Sequence, residues 1–192
     1  MKEVLDSKQK LINDCGNGVV VLFYDEKEIT ETERVQTSED SFEDKEVTRY
    51  AYNMLELKNV IQPVNEQNVI YALRQLVLDN ISTYDKSSAV NSFTINGNAV
   101  WFDRETRAVL MRRFEAEKAT GATETTLWYG IKNITIPIEK AIEMSNKVEV
   151  YACKCLDTTT AHKAVVSALT DFNELLAYDY TTGYPDKLSF TI

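Results

Sequence analysis

An α+β fold is predicted by three observations: the β-branched and aromatic run GVVVLFY at 18–24, an Asn96-Gly97 dipeptide between apolar residues, and apolar residues at helical spacing in later segments. The 192 residues suffice for one sizeable core, or for a core and a smaller appendage.

In chain order, residues 18–24 and 28–36 (EITETERVQ) predict a hairpin. A third extended segment follows over 46–57, with Val47, Arg49, Ala51, Asn53 and Leu55 on one face. Thr48, Tyr50, Tyr52, Met54 and Glu56 occupy the other. A small antiparallel sheet with a mobile acidic connection around 37–45 is the economical expectation. Asn65 then caps a helix carrying Val69, Ala72, Leu73, Leu76 and Val77, which stops near 81–88.

Asn-Gly accepts positive φ at both central positions of a type I′ turn, so Phe93–Ile95 and Val100–Phe102 predict a second hairpin. Asp103 caps the next helix, which carries Val109, Leu110, Met111 and Phe114 and ends at Gly121. A third hairpin, 124–129 with 133–138, turns at Gly130-Ile131-Lys132, and a helix starts at Ile138 with Ala141, Ile142, Val148, Ala152 and Leu156 on one side. Asp157 and Thr158–Thr160 break the pattern. A separate final helix over about 159–177 is therefore expected to pack antiparallel on its predecessor. The closing KLSFTI alternates and predicts a terminal strand.

The charge of −9, from 30 acids and 21 bases, repels phosphate backbones and anionic lipid, so neither nucleic acid nor a membrane is an expected partner. Residues 25–46 hold ten acids and three bases, net −7. The amino terminus lacks the uninterrupted apolar stretch of a secretory signal, and no window approaches the ~20 apolar residues of a spanning helix.

No catalytic, cofactor-binding or metal-ligating residue is expected, and no cofactor. Cys15, Cys153 and Cys155 form neither a disulfide framework nor a metal spacing; on a helix the last two diverge by about 200°. His162, the single histidine, is placed in the first turn of the final helix as a solvent-facing or cap-adjacent side chain. Glu139 and Glu143 share a face, as acids on solvated helices commonly do, whereas Glu115 and Glu117 diverge. Arg104, Arg107, Arg112 and Arg113 spread around their helix, with Glu105, Glu115 and Glu117 near enough to pair. Trp101 and Trp128 are expected in the core. The six glycines are isolated and make no phosphate loop.

The set F-x-x-N-G-x-x-x-W-F-D-x-x-x-R from Phe93 to Arg107, then T-x-L-W at 125–128 and A-H-K at 161–163, resembles a domain of unknown function. That domain is found in bacteriophage and prophage tail-fibre-associated proteins, and YDKSSAVNSF at 84–93 is similar to versions from gut Bacteroidales phages. The resemblance covers about residues 84–185. It implies a non-enzymatic virion structural role in a tail or fibre attachment region, with assembly in the host cytoplasm and no catalytic residues to carry over. A fibre-assembly chaperone and a glycan-binding module are the alternatives. The expected organisation is an acidic strand-rich docking segment (1–62), a linking helix and loop (63–90) and the phage tail-associated α+β domain (91–192). Other virion proteins are the expected partners, through open strand edges at 18–57 and 188–192, together with a homo-oligomer.

Overall fold

The computed structural model describes residues 2–38 and 41–192. Helices and antiparallel strands make it α+β, as the sequence predicts. Two compact units divide the chain: residues 1–76 with 170–176, and residues 77–169 with 177–192. The boundary between residues 76 and 77 falls within a helix.

Unit one holds a four-stranded antiparallel sheet in the order β1-β4-β3-β2, from β1 (Lys2–Leu5), β2 (Ile12–Gly16), β3 (Val19–Ser38) and β4 (Ser41–Leu57). The expected hairpin turn between 24 and 28 is absent. Asp25 and Glu26 instead form a bulge opposite Tyr52, with Asp25 at φ 54°, and the strand resumes at Lys27 opposite Ala51. A bulge inserts a residue without ending the pairing, which is why the polar DEK break does not reverse the chain. Most of the expected acidic connection is strand: Ser38 pairs with Ser41, and residues 39 and 40 lie outside the described residues. β1 and β2 come from charged segments that give no strand signal. They pair only with residues 50–53 of β4 and 19–22 of β3.

The inner side of this sheet buries Val20, Leu22 and Leu57. Helix α1 (Glu66–Lys86) starts at Asn65, whose Oδ1 accepts the Asn68 amide at 2.9 Å as the sequence predicts. Its residues Val69 and Leu73 are buried, as are Phe172 and Leu175 of α4 (Phe172–Ala177).

Unit two follows the hairpin and helix grammar. β5 (Phe93–Ile95) and β6 (Asn98–Val100) turn through Asn96 at φ 46° and Gly97 at φ 75°. α2 (Arg104–Ala119) is capped by Asp103, which accepts the Thr106 amide at 2.7 Å. β7 (Glu124–Tyr129) pairs with β8 (Lys132–Pro137). Helix α3 is continuous over Ile138–Ala168, so the expected break at 157–160 does not occur, nor does an antiparallel pair of helices there. The threonine hydroxyls fit inside the helix: those of Thr158 and Thr160 bond the carbonyls of Lys154 and Leu156, four residues back, and Thr159 turns inward. The terminal strand β9 (Ser189–Phe190) is present and lies parallel to β5. One of its edges is thereby occupied within the chain, and as the last strand in the order β6-β5-β9 it keeps the other edge open among the described residues. Phe93, Ile95, Phe114, Leu127, Ile136, Ala141, Met144 and Val148 form the core of this unit.

Candidate functional site

Past Tyr50, two residues beyond the bulge, β1 as well as β2 has ended and, among the described residues, only β3 and β4 remain paired. Residues 28–38 and 41–49 make a two-stranded ribbon of about ten residue pairs, on the order of 33 Å long at the rise of an extended strand. Most of its side chains are exposed; Ile29, Glu33, Val47 and Arg49 are half-buried. Two-stranded ribbons are marginal in water without a covering layer, so the cross-strand contacts carry the structure. On one face Arg49 meets Asp6 at 3.1 Å, Glu31 at 2.9 Å and Glu33, binding both strands and the β1 segment together. On the other, the Arg34 guanidinium lies 5.1 Å from the Phe42 ring centre, which is still 51% exposed.

The bulge anchors the base of the ribbon. Tyr52, 2% exposed, donates its hydroxyl hydrogen to Glu26 at 3.0 Å and accepts the Gln9 amide at 2.9 Å, while Lys8 pairs with Glu26 at 2.8 Å. The Lys8 contact and the Tyr52 hydroxyl hold the Glu26 carboxyl below its ordinary range.

In unit two a polar and aromatic cluster ties the segment 178–187 to its surroundings. His162 is half-buried in the interior of α3 and not in a first turn, because the helix does not restart at 159. Its Nε2 donates to the Thr182 carbonyl at 2.9 Å, which leaves Nδ1 of the neutral ring to accept from the Tyr178 hydroxyl at 2.8 Å. Thr159 donates to Asp85 at 2.8 Å and sits 3.0 Å from the Tyr184 hydroxyl. Lys187 Nζ donates to the carbonyls of Ser88 and Val90 and to the Ser92 hydroxyl, at 2.9, 3.1 and 2.7 Å. Burial pushes the Lys187 amine down and the Cys155 thiol up. These groups hold the chain together, and both ring nitrogens of His162 are already engaged.

The remaining sequence candidates are dispersed. Cys155 is buried while Cys153 and Cys15 are exposed, all three free. Glu139 pairs with Lys118 at 2.9 Å and Glu143 with Lys147 at 2.6 Å, so the two acids do not converge. Arg113 reaches Glu117, the Thr125 hydroxyl and the Thr126 carbonyl, whereas Arg107 finds its acid on α3, in Glu149 at 2.7 Å, and not in Glu105. Trp101 packs edge-on against Phe93 and Tyr151, with Arg107 5.3 Å over its ring. Trp128 is 57% exposed, which corrects its expected place in the core: alternation along β7 turns Thr125 and Leu127 inward and Trp128 outward.

No group of three or more His, Cys, Asp or Glu suited to a metal occurs among the described residues. No described helix is long and apolar enough to cross a membrane. The void beside Phe114 measures about 20 Å³, room for little more than one water. Both ribbon strands are legible as the extended segments 28–36 and 46–57; what the sequence hides is that β3 runs on through Asp25 and Glu26 and that most of 37–45 is strand. No family model, curated protein or solved structure matches the chain.

Proposed function

We propose that this chain is a non-enzymatic structural protein of a bacteriophage virion, acting in a tail or fibre attachment region by docking to other virion proteins through the β3–β4 ribbon. The phage setting rests on the resemblance carried by residues 84–185. The docking role rests on one observation: a two-stranded ribbon of about ten pairs that leaves most of its side chains uncovered. An element that costs chain entropy to order and buries little within its own unit gains its cover from a partner. The engagement of His162, Asp85, Glu139 and Glu143 in pairwise contacts is consistent with a scaffold.

The test is a mass-spectrometric census of purified particles. The chain is expected in them at fixed stoichiometry to the tail or fibre subunits. Its absence from particles, with fibre protein insoluble unless the chain is co-expressed, would replace this role by that of an assembly chaperone.

A further inference from the structure

The structure assigns an occupant to the ribbon: we infer that an extended cationic segment of a different polypeptide, with Lys or Arg at alternate residues, adds as a strand to the outer edge of β4. This rests on the docking reading and names the partner's chemistry. Among the described residues β1 occupies that edge only opposite residues 50–53, and no third strand pairs with residues 42–49 beyond it. A segment added there continues the line of β1 and pairs with a row of open backbone groups.

Charge selects its sequence. Alternation along β4 places Phe42, Asp44, Glu46, Thr48 and Tyr50 on one face at steps of about 6.8 Å. Asp44 and Glu46 enter no ion pair among the described residues: Arg34 stands opposite Asp44 on β3 but lies over the Phe42 ring, and Glu46 faces Thr32, whereas Glu31 and Glu33 on the opposite face are matched by Arg49. A strand beside β4 sets the Cβ atoms of its own alternate residues about 5 Å from those of Asp44 and Glu46, a spacing at which opposite charges on neighbouring strands attract. Lysines or arginines two residues apart therefore meet Asp44 and Glu46 together, and an apolar residue two further along reaches Phe42. A second copy of this chain suits the edge poorly, because it brings another net charge of −9.

Two ten-residue peptides of identical composition, one alternating Lys and Thr and one with five Lys followed by five Thr, are titrated into the full chain at about 50 mM and about 300 mM salt. The alternating peptide is expected to bind about tenfold tighter than the block peptide. The double substitution Asp44→Asn with Glu46→Gln is expected to erase that preference, while Glu105→Gln with Glu115→Gln on α2, an equal change in charge, preserves it. Equal binding of the two peptides, equal losses from both pairs of substitutions, or ribbon-mediated dimers that exclude the peptide would each overturn the assignment. Failure here, combined with loss of a ribbon-shortened chain from particles, would refute the cationic strand and leave the docking role standing.

Discussion

Tyr151 donates its phenolic hydrogen to the carbonyl oxygen of Val90 at 2.7 Å, and Lys187 reaches the same oxygen at 3.1 Å. Both Tyr151 and Val90 are buried. Replacing Tyr151 with Phe leaves the carbonyl to Lys187 and to the Ser92 amide at 3.0 Å, and is expected to cost about 1 kcal/mol, the net worth of one such bond. Adding Lys187→Met removes the second side-chain donor, leaves that oxygen only the Ser92 amide and should cost more than the two single substitutions together. Urea unfolding of the two single variants and the double variant measures this coupling.

The same cluster fixes how stability depends on pH. Burial lifts the Tyr151, Tyr178 and Tyr184 phenols above their ordinary 10.0 and the Cys155 thiol above 9.0. In each case the unfolded chain loses its proton first, so the contribution is full below the ordinary value and disappears as pH rises through the folded one. Lys187, pushed below 10.5 by burial, acts in the opposite sense: its contribution grows as pH rises towards that value. Four groups oppose one. Stability is expected to fall on going from pH 9.0 to beyond 10.0, and to fall less steeply in Tyr151→Phe and Cys155→Ala variants, as followed by thermal melts across that range.

Phe114 is 1% exposed and faces the core of unit two from α2. Truncating it to Ala removes a ring from a packed interior and is expected to destabilise by about 3–5 kcal/mol, read as a lowered denaturation midpoint. Val109 on the same helix is 57% exposed, and its truncation should change stability by no more than about 0.5 kcal/mol.

Hydrogen exchange should divide the two long strands at the bulge. Amides at Val20 and Leu22, in the four-stranded part with fully buried side chains, are expected to exchange orders of magnitude more slowly than those at 30–36 and 43–48 in the uncovered ribbon. Uniform protection along β3 would mean that the ribbon is covered in the isolated chain.

Local chemistry made part of this architecture legible. Asn96-Gly97, Asp103 and Asn65 act through bonds and dihedral preferences confined to a few residues, and each lies where the sequence places it. Features decided by distant contacts were not readable. Thr158–Thr160 look like a helix break until Thr159 is seen bonded to Asp85, 74 residues away. The polar step at Asp25 and Glu26 looks like a turn until Tyr52 and Lys8 are seen to hold Glu26. The ribbon strands were legible at 28–36 and 46–57, but the extension of strand into the acidic stretch around 37–45 was masked by residues that in another context make loops. For His162 the residue type drew notice, but its role followed only from the positions of Tyr178 and Thr182.

The most direct measurement compares the copy number of the chain in purified virions when it is supplied whole and when residues 29–49 are replaced by Asn-Gly, joining the paired residues Glu28 and Tyr50. The shortened chain is expected to keep its near-ultraviolet circular dichroism and yet to be depleted from particles at least about tenfold, as loss of a principal docking element requires. A shortened chain that folds and is incorporated at the full copy number would contradict docking through the ribbon.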